Sequence, residues 1–142
     1  MLVRLLYASR ATAPLTAPVV DSILEQSRKN NAPHGITGML CFSEDIFLQV
    51  IEGGREAVCD LFNTIVRDPR HEHVRLLSYE EITERRFGGW TMGQVNIAKI
   101  NPSLLLKYST KATLDPFNNS GHASMALLNE LIETAAVVSR GG

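Results

Sequence analysis

The chain is short of the residues that would build a covalent or metal framework. Its 142 residues include only two cysteines, Cys41 and Cys59, at no spacing that suits a disulfide scaffold or a zinc site. They read as apolar fillers, because no neighbour would activate either thiol. Surplus charge is equally scarce: 14 Lys and Arg against 15 Asp and Glu leave a formal net charge of −1. A basic excess is what neutralises a phosphate backbone, so nucleic acid is not the expected partner. No apolar run approaches the roughly 20 residues needed to cross a bilayer. Met1-Leu2-Val3-Arg4-Leu5-Leu6-Tyr7 is too short and strand-like for a secretory signal. The expected compartment is therefore the reducing cytoplasm, with no membrane association. Also missing are a glycine-rich phosphate loop, a nucleophile–His–Asp pattern and a carboxylate dyad, so enzymatic turnover is not expected.

What remains is ordinary globular composition, 44% hydrophobic and 20% charged, in a length suited to one buried core. Leu2 to Ala8 reads as a buried strand. Thr16-Ala17-Pro18 marks a helix entry, and Val20, Ile23, Leu24 and Ser27 carry helical spacing from about 17 to 30. The Asn30-to-Gly35 stretch ends it. Residues 36–42 and 46–52 read as a hairpin, with Glu52-Gly53-Gly54 as a turn. Val58, Leu61, Phe62 and Ile65 predict an amphipathic helix over 55–67, stopped by Asp68-Pro69. Further strands are predicted over 74–81 and 90–97. The order β-α-β-β-α-β plus a fifth strand is α+β and ferredoxin-like, with both helices on one face. The first three strands are apolar on both faces, so the second face needs cover. A short helix over 102–108 and a longer one carrying Met125, Leu128, Leu131, Ile132 and Ala135 would supply it. The organisation expected is therefore a domain over 1–97 and a helical cap over 98–142.

Some residues invite chemistry. Gln49 sits inside Phe47-Leu48-Gln49-Val50-Ile51, where every neighbour favours burial. A buried amide needs both a donor and an acceptor, and Tyr7 is a candidate partner. The plainer alternatives are a solvent-facing strand-edge glutamine and a core tyrosine. Asn31 either caps its helix or fixes a planar polar ligand there. Arg28, Lys29, Arg67, Arg70 and His71 lie near helix ends, as solvated charges or as an anion site. His71-Glu72-His73 would put two imidazoles on one strand face, but no third ligand is paired with them, so no metal is expected. Glu80 and Glu81 read as exposed.

Taken together, several segments resemble a BLUF domain, a blue-light sensor that uses flavin. They are Tyr7-Ala8-Ser9, residues 27–31, Gly35-Ile36-Thr37-Gly38-Met39-Leu40, residues 47–53, Asp68-Pro69-Arg70-His71 and residues 86–92, in the family's order across about 2–97. The remaining chain resembles the helical extension of short, stand-alone members. The resemblance implies non-covalent flavin, FAD with FMN or riboflavin as alternatives, between the two helices. It implies Tyr7 as electron donor and Gln49 as its bridge to the flavin. It implies Asn31 on the ring edge, Ile23 and Ile65 sandwiching the ring, and Arg28, Arg70 and His71 toward the cofactor tail. Trp90 and Met92, taken to share one strand face, would pass on a signal from a rearranged Gln49. The output would be a population shift read by a separate effector protein, in a chain expected to form homo-oligomers. Two other readings stand beside it: an acylphosphatase-like hydrolase, and a binding module without photochemistry on the same fold.

Overall fold

A computed structural model describes residues 1–134. Its elements are β1 (Leu2–Ala11), α1 (Ala17–Asn31), a 3₁₀ turn (Ala32–His34), β2 (Thr37–Ser43), β3 (Ile46–Gly54), α2 (Arg55–Arg67), β4 (His71–Ile82), β5 (Gly93–Asn96), a second 3₁₀ turn (Ile97–Lys99), α3 (Pro102–Tyr108) and α4 (Gly121–Glu133). One sheet of order β4-β1-β3-β2-β5 results. The first four strands pair antiparallel, as in the ferredoxin-like arrangement. β5 joins the outer edge parallel to β2.

Strand parity splits the core in two. Val3, Leu5, Tyr7, Leu40, Phe47 and Ile51 face α1 and α2, meeting Val20, Ile23, Leu24 and Val58. Leu6, Ala8, Met39, Cys41, Leu48 and Val50 face the other way and pack on Leu105 of α3 and on Leu127, Leu128 and Leu131 of α4. The C-terminal helices therefore cover the second sheet face, as apolar strands on both sides demanded. Ala135 of the predicted stripe lies outside the described residues. Gly121 opens α4 against β4, where a Cβ would come within 2.5 Å of the Leu77 carbonyl oxygen. Gly35 turns the chain into β2 with φ +65, a region open to glycine.

Several expectations need correction. Glu52 is no turn residue: β3 runs on to Gly54 and Glu52 is fully buried within it. Thr16 is the N-cap of α1, as the predicted helix entry requires, although its side chain makes no capping bond. β4 begins at His71 and ends at Ile82, beyond the predicted 74–81, because charged residues on its exposed side do not interrupt pairing with β1; Glu80 and Glu81 are exposed within it, as expected. β5 is only four residues, so Trp90 and Met92 precede it. His73 has φ +55, at an irregularity in the β1–β4 register. That backbone reversal sends the two imidazoles apart: His71 packs on Phe47, whereas His73 meets Phe117 beyond the opposite face.

Candidate functional site

A cavity of about 660 Å³, its mouth included, lies between α1 and α2 with the sheet as its floor. Ile23 from α1 and Ile65 from α2 line its walls, and Tyr7, Leu40, Phe47 and Gln49 its floor. Tyr7 and Gln49 are direct partners in the β1–β3 register, so their side chains rise side by side from adjacent strands. The Tyr7 hydroxyl donates to Gln49 Oε1. Gln49 Nε2 donates in turn to Met92 Sδ at 3.2 Å. β3 is an interior strand and Gln49 is 6% exposed, which removes the solvent-edge alternative.

Asn31 is the last residue of α1 and Ala32 takes the C-cap position, so Asn31 is not the cap. It is buried, lines the cavity, and its Nδ2 has no partner. An orphaned buried donor costs about 1–3 kcal/mol unless a ligand accepts from it. An aliphatic residue on each wall, a polar floor and an unspent amide donor suit a flat heteroaromatic ring with carbonyl edges, as in a flavin.

Burial pushes the Tyr7 phenol well above its usual value, and the negative charge of Asp68 adds to this, so the site holds a neutral hydroxyl. At the mouth, hydrogen bonds from Arg70 hold the Asp68 carboxyl below the usual range. Arg70 also donates to Gln26 Oε1 at 3.0 Å. Burial lowers His71, outweighing the pull of Asp68, which favours the neutral imidazole. Its Nδ1 sits 2.8 Å from the buried Ser9 hydroxyl.

Seven of the ten residues singled out line this cavity: Tyr7, Ile23, Asn31, Gln49, Ile65, Arg70 and His71. Arg28 instead donates to the Met92 carbonyl at 3.2 Å. Met92 is buried beside Gln49 in the core facing α1 and α2, whereas Trp90 packs against the core beneath α3 and α4. The shared face expected for this pair fails because alternation applies only within a strand. Among the described residues no group of His, Cys, Asp and Glu is arranged to hold a metal.

Sequence reasoning passed over Ser9, Gln26 and Asp68 as site residues. Ser9 was within reach, since it shares parity with Tyr7 two residues away. Gln26 continues the Ile23 stripe of α1 by three residues.

Residues 2–93 match the family model described as BLUF, sensors of blue-light using FAD. The chain belongs to the BLUF family. A BLUF protein named BlrB, solved in its dark state, superposes with a TM-score of 0.75 at 35% identity, over 94% of this chain and 96% of that one. The photo-activated state of BlsA gives 0.80 at 30% identity, over 93% and 95%. The beta subunit of a photoactivated adenylate cyclase from Euglena gracilis is 34% identical over 92 residues, which are 64% of this chain and 11% of that one. The chain thus spans about a tenth of the length of the curated relatives it matches first. As a BLUF protein it belongs to a flavin-based class of light sensors, and the hydrolase alternative is not favoured.

Proposed function

We propose that this chain is a blue-light switch whose working part is the Tyr7–Gln49–Met92 relay, and that it signals without catalytic turnover of its own. The observation that carries this reading is a buried amide with both ends committed, to the Tyr7 hydroxyl and to a thioether, beside a cavity holding an unspent donor. Ile23 and Ile65 would grip the isoalloxazine, Asn31 would donate to its edge, and Arg70 and His71 would meet the tail. Bound flavin supplies the light absorption and, once excited, an oxidant. Tyr7 is the nearby phenol that gives up an electron and its hydroxyl proton and then regains both, with no net redox change.

Gln49 holds the memory of that event. In the arrangement present here, its Oε1 accepts from Tyr7 and its Nε2 donates to Met92. Rotation of the amide, or its tautomer, exchanges these roles. A thioether sulfur accepts but cannot donate. A rotated Gln49 therefore turns an oxygen toward Met92 Sδ and repels what it formerly held. The two arrangements make a bistable element of the kind a ligand or light can bias.

Residues 98–142 act as the output cap in this reading. A separate effector protein in the cytoplasm receives the signal, and the chain self-associates. Purified protein should be yellow, and blue light should shift its flavin absorption reversibly to the red. Colourless protein that takes up no FAD, or loaded protein with no reversible shift, would refute the proposal.

A further inference from the structure

The Gln49 switch leaves unused a fully buried carboxylate that accepts hydrogen bonds from three residues. Glu52 lies on β3 opposite Arg4 of β1 and is fully buried on the face away from the cavity. It accepts from Arg4 Nε at 2.7 Å, from the Phe87 backbone N–H at 2.6 Å and from the Arg86 N–H at 3.1 Å. Arg4 is held in turn by Glu80 at 2.8 Å, and its guanidinium stands 5.9 Å from the centre of the buried Phe87 ring. Arg85 adds bonds to Thr37 Oγ1 at 2.8 Å and to the Glu52 carbonyl at 3.3 Å. Charge-assisted bonds of this kind are the strong ones, and burial strengthens them further. Residues 85–87 are thereby fastened to the sheet.

The chain just beyond is built differently. Neither Gly88 nor Gly89 lies in the left-handed region, and a Cβ on Gly89 would touch nothing within 4 Å. Neither backbone conformation nor crowding demands glycine at 89, and what glycine still contributes there is rotational freedom. Past the pair, residues 90–92 are held by three hydrogen bonds, none of them to a carboxylate. The Trp90 carbonyl accepts from the Gly38 N–H at 3.1 Å, the Met92 carbonyl from Arg28 at 3.2 Å, and Met92 Sδ from the switch amide itself.

We propose that Glu52 is the fixed pivot of the light response: it immobilises Arg86-Phe87, so a displacement of Met92 is taken up at Gly88-Gly89 and travels only forward. Forward means into β5, which pairs with β2 through four residues at the sheet edge, and then into the 3₁₀ turn and α3. Glu52 is a positioning residue, since it acts through the loop and stands on the sheet face away from the cavity. The inference rests on Gln49 being the switch that moves Met92.

The test is peptide-resolved hydrogen exchange on the flavin-loaded full chain, in the dark and under blue light, with the red shift recorded on the same samples. In the wild type, light should alter exchange in residues 90–108 and leave 83–87 unchanged. Glu52→Gln keeps the shape but removes the charge and sets an amide NH2 against the Arg86 N–H together with either the Phe87 N–H or Arg4 Nε. It should retain the red shift and let the light response spread back into 83–87. Gly89→Val should retain the red shift and reduce the response of 93–108 about two- to fivefold, the factor that glycine's extra backbone freedom is worth. A wild type responding equally at 83–87 and 90–96 overturns the pivot. So does a Glu52→Gln protein whose 83–87 stays silent, or a Gly89→Val protein with an undiminished response. Should Glu52→Gln fail to fold, the wild-type map and Gly89→Val decide by the same criteria. A wild type without a red shift overturns both the pivot and the switch beneath it, whereas a normal red shift with the wrong exchange map overturns the pivot alone.

Discussion

Tyr7→Phe isolates one hydrogen bond in the relay. Tyr7 is 1% exposed and its ring packs on Phe62 with centroids 5.7 Å apart. Phenylalanine retains that packing and loses only the hydroxyl. What changes is Gln49 Oε1, which is left buried without its donor. An unsatisfied buried acceptor costs about 1–3 kcal/mol. For a chain of this size each kcal/mol moves Tm by about 2–4 °C, so the loss should be about 2–12 °C. Gln49→Leu strands the Tyr7 hydroxyl instead, at a similar cost. Combining the two removes both partners and leaves apolar groups in contact, which is close to neutral. The double variant should therefore be more stable than the sum of the single losses predicts, by about 0.5–3 kcal/mol. Thermal melts of the flavin-loaded proteins measure this directly. Illumination supplies the functional half: each single variant should bind flavin and show no reversible red shift. Strictly additive losses would refute the hydrogen-bond assignment, and a normal red shift in Tyr7→Phe would remove Tyr7 as the donor.

Three further outcomes are expected. Ile23→Ala deletes a cavity wall that is 9% exposed and should weaken flavin retention by up to about 2–5 kcal/mol, with Ile65→Ala nearer the lower figure because Ile65 is only half-buried, as dialysis against flavin-free buffer will show. Met92→Leu conserves volume at a cost under about 1.5 kcal/mol and removes the sulfur acceptor, so the red shift should persist while light-dependent exchange in α3 and α4 declines; an undiminished response would take Met92 off the signal route. Acidification should destabilise the fold through His71: burial sets its folded value below the ordinary 6.5, so the unfolded chain binds the extra proton first, and the stabilisation present above pH 6.5 is lost as pH falls through the folded value. His71→Gln should flatten that limb of a denaturant-midpoint series, and an unchanged limb would assign the acid sensitivity elsewhere.

Local periodicity made most of the architecture legible. The spacing of Val58, Leu61, Phe62 and Ile65 specifies α2, Gly53-Gly54 and Asp68-Pro69 mark its ends, and strands apolar on both faces require a second helical layer. Gln49 stood out because one amide among five apolar residues needs an explanation, and its burial next to Tyr7 follows from the β1–β3 register. Alternation tells which residues share a face of one strand, but not where a strand begins or what a neighbouring element brings to it. Alternation thus predicts one face for Trp90 and Met92, whereas the loop ahead of β5 sends them into opposite cores. The backbone reversal at His73 separated His71 from His73 for the same reason: one residue outside the β region changes the phase of all that follows. Long-range charge pairing was legible nowhere in the chain. Glu52 reads as the polar start of a turn, and Arg28 as a solvated helix end. Only the folded sheet brings Arg4, Arg86 and Phe87 onto Glu52, across 34 to 48 positions of sequence, and aims Arg28 at the Met92 carbonyl 64 residues away. Such pairings depend on how strands and loops meet in space, which no local pattern of residue types records.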